Sequence, residues 1–226
     1  AGWIEPWTGT NKAQAVNDTL VPALNTAIWK GKLYAVPANT NTQLLWYRSD
    51  LVPKPPTTWA EMISDAEQLA KEGKPHYIEI QGAQYEGATV WFNTMVSSAG
   101  GTVLNPDATK ITLDARAVKA LTIMKQLATS TAADPSMSVQ KENENRLQME
   151  AGNAAFQLNY PFVYPGMKTD NPKLFKVFKW ALYPRVDPNK PSKVTIGGLD
   201  LAISKYSPHP DMAFQAALCL RNRANQ

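Results

Sequence analysis

Cysteine is nearly absent: Cys219 is the single one in 226 residues. That excludes an internal disulfide framework and any zinc site built on two or more cysteines. Histidine is almost as scarce, with only His76 and His209. A metal site of two or three histidines or a Ser-His-Asp triad would have to be built from these, but both stand beside prolines and outside any Gly-x-Ser-x-Gly context, and they read as surface-loop histidines. Paired glycines occur only at Gly100-Gly101 and Gly197-Gly198, and neither pair matches a dinucleotide fingerprint or a Walker loop. Long apolar runs are missing too. The uncharged stretch that begins at Gly87 is broken by Asn93, two serines, two glycines and Pro106, whereas a spanning helix needs about 20 mostly apolar residues.

Charge of one sign is also lacking, since 23 basic residues face 19 acidic ones for a net of +4. A nucleic-acid binder concentrates Lys and Arg on one face. The nearest approach here is Lys173, Lys176 and Lys179 among Leu174, Phe175, Val177 and Phe178, which reads as a half-buried segment with snorkelling lysines. No nucleic-acid partner is expected. The opening Ala1-Gly2-Trp3-Ile4-Glu5-Pro6 has neither the basic start nor the apolar core of a secretory leader, and no initiator Met. The expectation is a processed chain or a fragment, cut at both ends.

What is present is buriable surface. Seven Trp, eight Tyr and six Phe, within a 44% apolar composition, can build one large domain or two small ones and argue against disorder. Short apolar runs alternate with helical patterns, which predicts an α/β protein. Strands are expected at Lys32 to Val36 (stopping at Pro37), Gln43 to Tyr47, His76 to Ile80, Ala154 to Leu158, Trp180 to Leu182 and Leu201 to Ser204. Thr58 and Glu61 have capping-box spacing. Trp59, Met62, Ile63, Ala66, Leu69 and Ala70 then share one helical face that Gly73 ends. Further helices are expected at Glu86 to Ser98, after Asp114 with Val118, Leu121, Met124 and Leu127 as its buried stripe, at Glu142 to Ala151 before Gly152, and from Asp211.

Among the carboxylates, Glu142 and Glu144 draw attention. A glycosidase holds two carboxylates roughly 5–9 Å apart across its substrate, but helical positions two apart point in different directions. The pair reads as a solvated helix start, or as one carboxylate reaching a cleft. Amides and aromatics cluster at Asn39-Thr40-Asn41-Thr42 and at Asn159-Tyr160-Pro161-Phe162-Val163-Tyr164. Amides exchange hydrogen bonds with sugar hydroxyls and aromatic faces stack on a pyranose, and strand ends favour binding sites. By spacing alone, either cluster also serves structure.

Four stretches carry a resemblance. They are Trp29-Lys30-Gly31-Lys32-Leu33-Tyr34-Ala35-Val36-Pro37; Leu44 to Leu51 with Pro55-Pro56-Thr57-Thr58-Trp59-Ala60-Glu61-Met62; Ala151-Gly152-Asn153-Ala154-Ala155-Phe156 leading into Asn159-Tyr160-Pro161; and Gly197 to Ser204 with Ser207-Pro208-His209-Pro210. Together and in this order, the chain resembles the extracellular solute-binding proteins of sugar ABC transporters, the maltose- and trehalose-binding group. The resemblance implies a periplasmic-binding-protein-like fold of two α/β lobes joined by hinge crossovers. Residues 1–37 and 184–226 would form an incomplete first lobe and 38–183 the second. A disaccharide or short oligosaccharide would be held between the lobes and passed on closure to a membrane permease. The location implied is the periplasm or outer cell surface, with a lipid anchor on an upstream segment in many relatives.

Carried over residue by residue, the resemblance implies ligand contacts at Asn39 and Asn41 after the hinge, Tyr160 as stacking platform with Phe162 as a second, and Glu142 as a carboxylate. It also implies Gly197 and Gly198 for close backbone approach, Leu199 where relatives place a tryptophan, and Tyr85. A monomer without cofactor or catalytic residue is expected. Two alternatives stay open: another polar solute such as glycerol phosphate, or a carbohydrate-active enzyme. A truncated product that folds poorly is a further one.

Overall fold

The computed structural model of the chain describes residues 2–17 and 19–225. In chain order it opens with α1 (Gly9–Val16), α2 (Val21–Thr26), β1 (Ile28–Trp29), β2 (Lys32–Leu33), β3 (Ala35–Thr42) and β4 (Leu44–Arg48). There follow α3 (Trp59–Lys71), β5 (Tyr77–Glu79), α4 (Glu86–Ser98), α5 (Ala115–Ala128) and a 3-10 turn at Met137–Val139. The remainder is α6 (Glu142–Ala151), β6 (Ala154–Asn159), α7 (Val163–Asp170), α8 (Pro172–Phe175), β7 (Phe178–Ala181), β8 (Ile196–Ala202) and α9 (Pro210–Leu220). The fold is α/β. Two compact units emerge: Ala1–Asn41 with Ile196–Gln226, and Thr42–Thr195. The sequence boundaries at 37 and 183 differ from these, because residues 185–195 are tied to the larger unit. Arg185 bonds Thr57, while Lys193 and Thr195 bond Ser98 and Thr94.

In the smaller unit, β1 and β2 form a hairpin in which Trp29 faces Lys32. Lys30 and Gly31 both take positive φ (48° and 75°), the two-residue turn whose twist matches the flanking strands. Trp7 meets Phe214 edge-on at 4.8 Å, and Leu33, Val36, Ile203 and Ala217 close this core. The strand expected to stop at Pro37 runs through it. Among the described residues β3 pairs with β8 alone, and a strand with one open edge accommodates a residue without an N–H. β8 likewise starts earlier than expected and takes in both glycines.

The larger unit is built on a four-stranded sheet in the order β5-β6-β4-β7. β4 is antiparallel to both neighbours, and β5 runs parallel to β6. Alternation along β4 sends Leu45 and Tyr47 into one core and Trp46 into another. The first core holds Trp59, Met62, Ile63, Met95 and Leu127 from α3, α4 and α5. The second holds Met149, Val163, Met167 and Phe178, with Trp46 stacked on Phe178 at 5.2 Å. β6 lies between β5 and β4, and all six of its residues are buried.

The capping box of α3 forms as expected. Thr58 accepts from the Glu61 amide, and the Glu61 carboxylate accepts from the Thr57 and Thr58 amides. The Thr57 hydroxyl, which donates to the same carboxylate at 2.8 Å, and then the two amides hold the Glu61 carboxyl below its usual range. Thr58→Ala is expected to cost about 1 kcal/mol of stability, read as a lower urea midpoint at unchanged m-value.

Other expectations need correction. In α5 the buried residues are Ala117, Ala120 and Leu127, while Val118 and Leu121 face outward. Alanines at closely packed positions turn the helix by about one residue from the stripe its larger side chains suggest. After β6 the aromatic stretch passes into α7, which takes in Val163 and Tyr164. Tyr164 is spent on structure, tilted against Trp46 and edge-on to Phe175. The Lys173 to Phe178 segment is α8 and its exit, with Phe178 buried beneath exposed lysines, as the snorkelling reading has it.

Candidate functional site

The residues singled out in the larger unit converge. Tyr85 caps α4, Glu142 opens α6 and Tyr160 follows β6. The Glu142 carboxylate lies close enough to raise the Tyr85 hydroxyl, though the pair falls short of a well-formed hydrogen bond. Burial is the larger cause of that rise. Tyr160 is pushed up to about 12 by burial, then by Glu86 and Glu142. Three elements thus bring two half-buried phenols and two carboxylates onto one patch.

The Tyr85 ring is folded back over its own helix. A Cβ on Gly87 would overlap the Tyr85 hydroxyl and its ring carbon Cζ, so only glycine at this position leaves room for the ring. The Lys141 ammonium sits 5.4 Å from the centre of the same ring, a cation–π contact. Glu144 has a different task. Its carboxylate accepts from the Lys141 amide at 3.1 Å, closing the first turn of α6. Helix geometry therefore separates the two glutamates, as their spacing predicts.

Behind the patch, Asn159 is fully buried. Its amide nitrogen donates to the Glu142 carbonyl at 3.0 Å and to Asn145 Oδ1 at 2.9 Å. Its Oδ1 accepts from the Tyr160 amide at 2.8 Å. Phe162 stands at the start of α7 and is 41% exposed, with no ring partner among the described residues.

In the smaller unit the residues singled out bind one another. Asn39 Oδ1 accepts from the Leu199 amide at 3.0 Å, and the Thr40 hydroxyl donates to the Gly197 carbonyl at 3.0 Å. A Cβ on Gly198 would collide with the Asn39 carbonyl, and one on Gly197 would fall 2.6 Å from Asn41 Oδ1. The close approach that these glycines permit is therefore with β3. Beside them a recess of about 210 Å³ is lined by Thr26, Asn39, Thr40, Gly197, Gly198 and Asp200, among others. The side chain of Leu199 is exposed.

The chain is similar to known proteins over almost all of its length. It matches the bacterial extracellular solute-binding protein family over residues 1–224. The chain belongs to that family. A probable ABC transporter-binding protein of Deinococcus radiodurans is 36% identical over 196 residues, covering 81% of this chain and 46% of the relative. Maltose-bound MalE3 of T. maritima is 27% identical with a TM-score of 0.88, covering 99% of this chain and 59% of that one. A tagatose-bound solute-binding protein of Thermotoga lettingae TMO shares the fold at 23% identity and a TM-score of 0.86, again over 99% and 59%. The chain therefore spans 46–59% of the length of these relatives.

Sequence reading of this family member overlooked Glu86 and Lys141, and took in Asn159 only as part of the amide and aromatic cluster that it opens. Glu86 is the exposed first residue of α4 and resembles any acidic residue at a helix start. Lys141 and Asn159 sit beside residues already singled out, and only the packing of α6 on β6 gives them a role. His76 is half-buried, bonded to the Lys74 carbonyl and set against Tyr77, and His209 precedes α9 on the surface. Among the described residues no group of three His, Cys, Asp or Glu could hold a metal ion.

Proposed function

We propose that this chain is the solute-binding part of an ABC importer, capturing a sugar or polyol and delivering it to membrane permease subunits. Within that class the proposed ligand is a disaccharide or short oligosaccharide of the maltose or trehalose type. The observation that carries the reading is the patch on the larger unit. Tyr85 and Tyr160 offer aromatic faces for the apolar side of a pyranose, and Glu142 offers acceptors for its hydroxyls. Family membership and the likeness to a maltose-bound protein support it. Asn39, Asn41, Gly197, Gly198, Leu199 and Phe162 are proposed as further contacts. Glycerol phosphate fits less well, because Glu86 and Glu142 face the tyrosines with Lys141 as the nearby cation.

The protein is proposed to act outside the cytoplasmic membrane as a monomer, with a lipid anchor where an upstream segment supplies one, and without catalysis. Hinge closure on the bound solute is the delivery step of the same proposal.

The test is calorimetric titration of the chain with maltose, trehalose, mannitol and glycerol 3-phosphate. Saturable binding of a neutral sugar or polyol without hydrolysis is expected, weakened about 10- to 100-fold by Tyr160→Ala, the order of one lost aromatic anchor. Gly87→Ala should weaken it about tenfold at unchanged or higher stability, since alanine favours the helix by about 1 kcal/mol while displacing the Tyr85 ring. Binding of glycerol 3-phosphate alone, or sugar affinity indifferent to both changes, would contradict the reading.

A further inference from the structure

The best-ordered polar structure near the proposed solute patch is not on its surface. Asn159 ends β6 with every polar atom of its side chain in use: two donations from Nδ2, to the Glu142 carbonyl and Asn145 Oδ1, and one acceptance at Oδ1 from the Tyr160 amide. Its own carbonyl accepts from Trp46 Nε1 at 2.9 Å, which fixes the strand end against β4. Asn145 is held in turn, its Oδ1 also accepting from Gln157 Nε2 at 2.5 Å. One buried amide therefore ties the first residue of α6 to the first residue beyond β6. Those residues are Glu142 and Tyr160.

We infer that Asn159 is a positioning residue for solute binding, setting the distance and orientation between the Glu142 carboxylate and the Tyr160 ring. This rests on the reading of that patch as the solute site. The physical case is that the Glu144 and Trp46 bonds hold the neighbouring Lys141 amide and Asn159 carbonyl, whereas the Asn159 side chain bonds the backbone of residues 142 and 160 themselves and so ties them to each other. Residue 142 opens a helix, where the backbone lacks a preceding turn to hold it. Tyr160 precedes Pro161, which cannot donate a backbone hydrogen bond. A side chain that can donate twice and accept once is required, and asparagine supplies that set in one short, rigid group. Aspartate has the same shape but no donor, and would set a carboxylate against the Glu142 carbonyl and Asn145 Oδ1.

The test compares Asn159→Asp with Asn145→Ala. The second variant also breaks the buried amide network but leaves the bond from Asn159 to Glu142 and the bond to Tyr160 in place. Titrated with maltose, Asn159→Asp is expected to lose affinity at least tenfold, while Asn145→Ala stays within about threefold despite a comparable drop in urea midpoint. Equal losses of affinity in the two variants, or an Asn159→Asp affinity within twofold of the parent, would overturn the inference.

A second readout needs no solute, so failure of the binding reading remains distinguishable. In the parent, Glu142→Gln should shift the ¹³Cζ resonance of labelled Tyr160, because the carboxylate and ring are held together. In the Asn159→Asp background that response should shrink by at least half. An undiminished response would overturn the inference whether or not maltose binds.

Discussion

Replacement of Trp59 by alanine is expected to destabilise the larger unit by about 3–5 kcal/mol, the range for deleting a large buried aromatic. Trp59 is fully buried at the start of α3, with Trp91 at 6.2 Å and Tyr183 at 5.9 Å between ring centres. Its truncation opens a cavity where α3, α4 and the segment after β7 meet, and rings anchored on three elements cannot collapse into it. For a unit of this size the loss corresponds to a fall in melting temperature of roughly 8–15 °C. Trp59→Phe sharpens the test. The indole Nε1 is buried without a hydrogen-bond partner, so phenylalanine sheds an unsatisfied donor along with some volume. Its cost should be only about 1 kcal/mol. Similar losses for alanine and phenylalanine in urea melts would show that the indole nitrogen is satisfied after all.

The second large effect has the opposite sign. Glu79→Gln should stabilise the protein at pH 7.5. Glu79 is fully buried on β5, directly opposite Gln157 on β6, and both carboxylate oxygens lack a hydrogen-bond partner. Burial, and then the Asp134 carboxylate, push its pKa up to about 8 from the ordinary 4.5. A carboxyl raised on folding stays neutral in the native chain while the unfolded chain ionises. Its effect on stability is therefore absent below about pH 4.5, grows as pH rises, and is complete above about pH 8. By pH 7.5 the penalty is roughly 2–4 kcal/mol. Glutamine keeps the shape and the donor without a proton to lose. Denaturant titrations across pH 4.5–8 should show the parent losing stability relative to Glu79→Gln as pH rises. Parallel curves for the two would mean that Glu79 is ionised and compensated in the native state.

These two residues also mark what a reader of the sequence could and could not see. Trp59 was legible, because it follows a capping box and shares a face with Met62, Ile63, Ala66 and Leu69, all buried. The same local logic placed Glu86 to Ser98 and the left-handed Gly152 after α6. Glu79 was not legible. A lone carboxylate in a short strand looks like a solvent-facing alternate, and only the cover provided by α6 and the segment around Asp134 and Gln140 buries it. α5 misled for a related reason, since its larger side chains suggest a stripe that close packing through Ala117 and Ala120 overrides. α1 and α2 went unread because they are short and polar or proline-bearing, without an acidic first turn or a basic last one.

The candidate site was legible in a different way. Residues 85, 142 and 160 lie too far apart in sequence for any periodicity to join them. Resemblance singled them out, and the packing of α4, α6 and the end of β6 sets them together. The glycines of β8 were noticed for their rarity, yet their small size serves the pairing with β3. Asn159, which ties two of the three site residues together, gives no sign of this in a run that reads Leu158-Asn159-Tyr160.

The central claim, that the Tyr85–Glu142–Tyr160 patch receives a neutral solute, is tested most directly by NMR of the tyrosine-¹³C-labelled chain titrated with maltose, trehalose and mannitol. At least one of these should move the Tyr85 and Tyr160 resonances in a single saturable isotherm, while exposed Tyr206 in the smaller unit stays put. Silence at Tyr85 and Tyr160 with all three solutes, or saturable shifts confined to other tyrosines, would contradict it.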